Sequence, residues 1–217
     1  MNATSRAAGD TRRAYVVDDD EGFRRSVVML LESAGWEVGA FGSASEFSAR
    51  ARELGPGILL LDLNLGGDSG LDLIEQDGVE LDRFAVVMVT GAGEIETAVR
   101  SIKAGAIDFI EKPFDPDELL DRLERIGSEF VASLEARAAE WQARDRVAAL
   151  SARESDVLER LLSGASNKLI ARDLGLSPRT VEMHRARMLQ KLGAANTAEA
   201  LEIGRTASLK SVSPSKN

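Results

Sequence analysis

Five short apolar runs alternate with longer segments of mixed polarity across the first 125 residues, and this alternation constrains the chain more than any other feature. The runs are Tyr15 to Val17, Val38 to Phe41, Ile58 to Leu61, Phe84 to Val89 and Ile107 to Ile110. Several show no polar alternation, as a strand buried on both faces requires. The segments between them, about 21–34, 44–54, 70–76, 94–104 and 116–126, carry helical spacing. Ser43 followed by Glu46 has the form of a capping box, and Asp115-Pro116-x-Glu118 offers an N-cap, a first-position proline and an acid in the first turn. A βα unit repeated five times predicts an α/β domain with a doubly wound parallel sheet and helices on both faces.

The pattern then changes. Residues 117–148 contain no proline and a single glycine, Gly127, and are rich in Ala, Glu, Arg and Leu, so a long helix is expected, with 127–148 as a helical linker. Leu120, Leu123, Phe130, Leu134 and Trp141 keep a 3/4 spacing that Gly127, Arg137 and Arg144 interrupt. Such a seam fits pairing with a second copy of the chain, or packing on its own chain. Residues 151–204 read as four short helices: Ser151 with Glu154 opens the first and Gly164 ends it; Asn167 to Leu174 ends at Gly175; Ser177-Pro178 opens a third that Gly193 closes; Asn196 with Glu199 opens the last. The domain reading is therefore a disordered start (1–12), an α/β domain (13–126), the linker (127–148), an all-α domain (149–205) and a disordered Ser/Lys-rich tail (206–217).

Composition separates the two ends. Residues 1–125 hold 13 Lys and Arg against 25 Asp and Glu, a balance of −12, whereas residues 148–217 hold 11 against 7, a balance of +4. A basic end on an acidic chain points to an anionic partner such as nucleic acid. The absence of cysteine excludes disulfides and thiolate metal sites. No apolar run approaches the roughly 18 residues of a membrane span, and Met1 to Arg13 lacks the apolar stretch of a secretory signal. A cytoplasmic protein without membrane attachment is expected.

Polar residues cluster where the predicted strands end. Asp18 and Asp19 follow the first, Asp62 the third, Thr90 the fourth and Lys112 the fifth. In an open doubly wound sheet those ends form the ligand crevice. Carboxylates converging there repel one another, and a hard dication with oxygen ligands such as Mg²⁺ relieves the repulsion. One carboxylate can then attack phosphorus, with the lysine as a point charge and the threonine hydroxyl as a donor. Singly these residues are ordinary turn, cap and loop residues; the ordered set is what points to chemistry.

At the other end, helices 167–174 and 178–192 joined by Gly175-Leu176-Ser177 have helix-turn-helix form. Val181, Met188 and Leu192 make a core face, and Arg179, Glu182, Met183, Ala186, Arg187 and Gln190 lie opposite. On periodicity alone, a solvated basic face is the simpler reading. His184, the one histidine, lies at helical spacing from Val181 and Met188 and reads as a packed helix residue.

These motifs carry a resemblance. Val17-Asp18-Asp19-Asp20, Leu61-Asp62, Val89-Thr90-Gly91 and Phe109-Ile110-Glu111-Lys112-Pro113-Phe114 resemble the receiver domain of response regulators over about residues 13–126. Leu150 to Glu154, Asn167-Lys168-x-Ile170-Ala171, Ser177 to Glu182, His184-Arg185 and Lys191-Leu192 resemble the LuxR-type helix-turn-helix over about 150–204, so the whole chain looks like the NarL/FixJ family, FixJ-like branch. The resemblance implies a five-stranded flavodoxin/CheY-like receiver and a four-helix DNA-binding domain. It implies Asp62 as phosphoacceptor, Asp19 as a direct Mg²⁺ ligand, Asp18 as an indirect one, and the Asn64 backbone carbonyl on the metal. Thr90 and Lys112 would contact the phosphoryl group, and Thr90 and Phe109 would form the switch. For DNA it implies Lys168, Arg179, Thr180, Glu182, Met183, Arg185, Ala186, Arg187 and Lys191. The implied partners are a sensor histidine kinase, DNA, RNA polymerase and a second copy on phosphorylation, and no enzyme activity of its own is implied. The chain departs from the family at Leu65-Gly66-Gly67, where Met-Pro is frequent, and this bears on the loop's freedom and the acyl-phosphate lifetime.

Two other classes share parts of the pattern. A pseudo-receiver regulator would bind DNA without phosphate, but the full acid set is present here. An aspartate-nucleophile phosphatase of the haloacid dehalogenase type places Asp-x-Asp after its first strand, whereas here the acceptor follows the third, position 64 is Asn and no cap domain is seen.

Overall fold

The computed structural model describes residues 12–76, 81–91 and 95–208. Two compact units divide within one helix, at Val131/Ala132. In the first, strands β1 (Arg13–Val17), β2 (Glu37–Phe41), β3 (Gly57–Asp62), β4 (Phe84–Thr90) and β5 (Asp108–Glu111) alternate with helices α1 (Glu21–Ser33), α2 (Ala44–Arg50), α3 (Gly70–Gln76) and α4 (Ile95–Ala104). All strand pairs in this sheet are parallel, in the order β2-β1-β3-β4-β5. A two-residue antiparallel pair, Asn64–Leu65 with Asp68–Ser69, follows β3.

The central strands are buried throughout: β3 and β4 have no exposed residue, as the unalternating apolar runs require. One sheet face carries Tyr15, Leu59, Leu61, Val86 and Met88 against Phe47 of α2 and Leu71 and Ile74 of α3. Tyr15 meets Phe84 edge-on at 5.4 Å, and its hydroxyl donates to the Gly55 carbonyl at 2.9 Å. Val27 and Leu31 of α1 and Leu119, Leu123 and Ile126 of α5 (Pro116–Ala148) are also buried.

Local signals set the helix starts. Asp20 caps α1 by accepting from Gly22 and Phe23 N–H. Ser43 caps α2 through the Glu46 N–H, but the Glu46 carboxylate takes the Gly42 N–H at 2.7 Å, one residue earlier than a strict capping box. Asp115 caps α5 through the N–H groups of Asp117 and Glu118. Helix α5 continues unbroken through the expected linker. Its Leu123 and Phe130 are buried within the first unit's residues, so that part of the 3/4 seam is covered, whereas Val131 and Trp141 are exposed.

The second unit completes α5 and adds α6 (Ala152–Leu162), α7 (Asn167–Leu174), α8 (Pro178–Leu192) and α9 (Thr197–Ser208). Val157, Ile170, Val181, Met188, Leu192 and Ala200 form its core. The Ser151–Glu154 capping box is complete, and Gly175 and Gly193 close α7 and α8 in the left-handed conformation that a side chain disfavours. The ends of the chain differ from the sequence reading where they are described. Arg12 is tied to Glu124 at 3.1 Å, and α9 runs on to Ser208 rather than stopping near 205. Residues 1–11 and 209–217, expected to be disordered, lie outside the described residues.

Candidate functional site

The strand order reverses between β1 and β3, and this places a crevice at their carboxyl ends. Asp18, just beyond β1, is 1% exposed, and Asp62, the last residue of β3, is 8% exposed. Asp19 is exposed beside them. One carboxylate oxygen from each of Asp18, Asp19 and Asp62 falls within 4.8 Å of the others. Lys112 reaches in from the end of β5. Its Nζ lies 2.7 Å from Asp18 Oδ2 and 3.3 Å from Asp62 Oδ2. Thr90 closes β4, is buried, and accepts the Lys112 N–H on its carbonyl at 2.8 Å.

The backbone fixes this arrangement. Asp18 Oδ1 accepts the Asp20 N–H at 2.8 Å, while Arg24 donates to the Asp18 carbonyl at 2.5 Å. Leu63 N–H bonds to the Val89 carbonyl and Gly70 N–H to the Leu63 carbonyl, holding the loop after Asp62 at both ends. A Cβ at Gly70 would stand 2.1 Å from the Asp62 carbonyl oxygen, so only glycine fits there. Gly66, at φ +61°, passes close over Asp19.

Burial pushes the Asp62 carboxyl above its ordinary value; Lys112 opposes this and Asp18 adds to it. Asp20 shows the opposite effect, held low by the N–H groups of Phe23 and Gly22. The crevice thus pairs a desolvated carboxylate with an ammonium and leaves two further carboxylates facing it. Hard oxygen donors so close together suit a dication such as Mg²⁺, and the described residues contain no other such group of three.

The structure brings Asp18, Asp19, Asp62 and Lys112 together, with Thr90 on the neighbouring strand end. Asn64 stands in the short hairpin, opposite Ser69. Phe109, on β5, turns outward and is 42% exposed. Sequence reasoning missed Phe23 and Arg24, and it met Phe114 only as the end of the Lys112-Pro113 motif. Phe23 lies under the Lys112 ammonium, 4.0 Å from Nζ to the ring centroid, and meets Phe114 edge-on at 5.7 Å.

In the second unit the expected DNA face divides. Lys168, Arg179, Glu182, Met183, Ala186 and Arg187 are exposed. Three others have internal partners. Arg185 donates to Asn167 Oδ1 at 2.8 Å and Thr197 Oγ1 at 2.6 Å, joining α8 to the starts of α7 and α9. Lys191 donates to the buried Glu154 at 2.7 Å. Thr180 shares a hydrogen bond with the cap residue Ser177 at 2.8 Å. The resemblance implies DNA contacts for these three as well; in the structure each also has a hydrogen-bond partner within the domain. His184 is half-buried on α8, and its Nδ1 has no hydrogen-bond partner.

Each unit matches a known protein family. Residues 14–124 match the response regulator receiver domain, and residues 148–203 match the bacterial regulatory proteins of the luxR family. The transcriptional regulatory protein FixJ of Bradyrhizobium diazoefficiens is 36% identical over 195 residues, covering 90% of this chain and 95% of that protein. The solved structure of the response regulator StyR has a TM-score of 0.77 at 36% identity, covering 90% of this chain and 99% of that one. Full-length FixJ from B. japonicum has a TM-score of 0.58 at 35% identity, covering 92% and 99%. With a receiver crevice at one end and a LuxR-type helix-turn-helix at the other, the chain belongs to the FixJ-like two-component response regulators, which regulate transcription.

Proposed function

We propose that Asp62 accepts a phosphoryl group from the phosphohistidine of a sensor kinase, and that this modification controls DNA binding by the second unit. The observation that carries the reading is the Lys112 ammonium set between Asp18 and Asp62, at 2.7 Å and 3.3 Å, at the sheet's switch point. An Asp62 carboxylate oxygen attacks phosphorus, the bond from phosphorus to the donor nitrogen breaks, and the imidazole leaves with the electron pair. Lys112 meets the incoming phosphoryl oxygens as a point charge, and Thr90 donates a hydroxyl hydrogen bond. Asp18, Asp19, Asp62 and the Asn64 carbonyl would hold Mg²⁺, which neutralises the charge shared by carboxylate and phosphoryl group.

Phosphorylation draws Thr90 inward and lets Phe109 leave its exposed position, shifting a two-state receiver. Two copies then associate and present two helix-turn-helix heads to paired half-sites, which raises affinity through effective concentration. Lys168, Arg179 and Arg187 contact phosphates, while Glu182, Met183 and Ala186 meet base edges. Arg185, Thr180 and Lys191 brace that surface through their hydrogen bonds to Asn167, Thr197, Ser177 and Glu154. RNA polymerase is the partner that a DNA-bound regulator of this kind reaches. No helix among the described residues is long and apolar enough to cross a membrane, which supports work in the cytoplasm, where the DNA is.

The test is intact mass after incubation with acetyl phosphate and Mg²⁺, beside Asp62→Asn. A gain of one phosphoryl group in the native chain, lost in the variant and without Mg²⁺, is expected. No gain from acetyl phosphate or from a panel of kinases would leave a DNA-binding protein whose receiver serves only as an interaction module.

A further inference from the structure

We infer that Phe23 is a positioning residue for phosphoryl acceptance: its ring face seats the Lys112 ammonium over the Asp18–Asp62 pair. This rests on the reading of Asp62 as phosphoacceptor. Lys112 carries a flexible four-carbon stem and three rotatable donors, so its head is not placed by its backbone alone. Two carboxylates hold it from one side, at 2.7 Å and 3.3 Å. The Phe23 ring meets it at 4.0 Å from Nζ to the centroid, within the range where the negative face of an aromatic ring attracts a cation.

The ring is itself held. The Phe23 N–H is bonded to the capping carboxylate of Asp20 at 3.1 Å, which fixes the residue in the first turn of α1. Phe114 packs against Phe23 at an interplanar angle of 76°, an edge-to-face arrangement that aromatic pairs prefer. Phe114 and Lys112 flank Pro113, so one loop delivers both the cation and the aromatic edge to the same ring. Phe23 and Phe114 also line a small cavity with Val16, Val27, Leu60 and Val89, in which the polar side chains among the described residues are Asp18 and Asp62. A lysine held in this way needs little rearrangement to meet a phosphoryl group, and preorganised charge is what lowers such a barrier.

The test replaces Phe23 in the full chain with leucine and, separately, with phenylalanine carrying one, two or three ring fluorines. Fluorine withdraws charge from the ring face with little change of shape, so the fluorinated chains keep the fold while the cation contact weakens. Acceptance from acetyl phosphate at saturating Mg²⁺ is followed by intact mass. Phe23→Leu is expected to slow it about fivefold, and the logarithm of the rate to fall stepwise along the fluorinated series. A second readout needs no metal: in the native chain the Lys112 ε-methylene protons, identified by their loss in Lys112→Arg, are expected upfield of their ordinary position, and back at that position in Phe23→Leu. A flat fluorinated series, with or without slowing by leucine, overturns the inference by reducing Phe23 to a space-filler. So does a faster rate in Phe23→Leu. If the native chain takes no phosphoryl group, the phosphoacceptor reading fails and this role falls with it. The metal-free proton shift then still shows whether the contact exists, which keeps the two failures apart.

Discussion

Lys191, in the last turn of α8, donates to Glu154 in the first turn of α6 at 2.7 Å, and the same Glu154 oxygen accepts the Ser151 N–H at 2.8 Å. One buried carboxylate thus ties the start of the second unit's first short helix to the end of its helix-turn-helix. The Lys191 hydrogen bond and the Ser151 N–H hold the Glu154 carboxyl down from 4.5 to about 2. A carboxyl with a depressed folded-state pKa stabilises the fold above its unfolded value, and that stabilisation is lost as the pH falls. The second unit should therefore weaken on acidification from about 4.5 toward about 2. Methyl-labelled methionine follows each unit in the intact chain, because Met188 lies in the core of the second and Met88 in that of the first. Glu154→Gln is expected to cost about 1–3 kcal/mol at neutral pH and to flatten the acid dependence of the Met188 signal. An acid dependence unchanged in the variant would assign it to other carboxyls.

Arg185 and Arg179 lie on one helix and are expected to behave differently. Arg185 donates to Asn167 and Thr197, whereas Arg179 is exposed. Arg185→Lys replaces two guanidinium nitrogens, each placed on its own acceptor, with a single nitrogen and should destabilise the second unit by about 1–2 kcal/mol. Arg179→Ala should leave the Met188 signal in place, weaken DNA binding across sequences and reduce the salt slope of log affinity by about 1. Titrations at several salt concentrations separate the two. Weaker DNA binding by Arg185→Lys with unchanged stability would return Arg185 to the DNA face.

These contrasts mark what the sequence could reveal. Strand runs without alternation located β3 and β4, and local cap residues located α5, α7 and α8 to within a residue or two, because backbone hydrogen bonding is settled by near neighbours. The acidic crevice was legible because Asp18, Asp62 and Lys112 each stand at the end of a recognisable strand. Residue type does not say where a long side chain goes once the chain is folded. The family resemblance implies DNA contacts for Arg185 and Lys191, and only the fold shows that each also donates to a partner, 18 and 37 positions away. Phe23 gave no signal at all: one aromatic near the start of a helix is ordinary core material until the loop after β5 folds a cation onto it.

Gly70 offers a test of how tightly the acceptor is held. A methyl group there would meet the Asp62 carbonyl oxygen at 2.1 Å, a contact that only backbone movement can relieve. Gly70→Ala is therefore expected to destabilise the first unit by more than about 2 kcal/mol, to shift the Met88 methyl and to slow phosphoryl acceptance. Gly91→Ala is the control for stability, since no atom of the described residues lies within 4 Å of a Cβ at that position. Equal behaviour of the two variants would mean that the loop after β3 yields more easily than its hydrogen bonds imply.

Lys112 gives an expectation in which two measurements move in opposite directions. Its ammonium is the cation already paired with Asp18 and Asp62, so it repels any dication drawn to the same carboxylates. Lys112→Met keeps an unbranched side chain but removes that charge. Mg²⁺ affinity, measured by calorimetry on the full chain, should rise by about threefold or more, an order-of-magnitude figure for a like-charge repulsion in a partly solvated crevice. Acceptance from acetyl phosphate should fall at least tenfold at saturating Mg²⁺, about the 1.4 kcal/mol that one lost contact to the transferring group represents. A purely structural role would lower both quantities together, because a disordered crevice neither binds the metal nor aligns the carboxylate. Tighter Mg²⁺ binding alongside slower acceptance separates the charge of Lys112 from its packing, and a parallel fall in the two would show that the ammonium mainly keeps Asp18 and Asp62 from repelling each other.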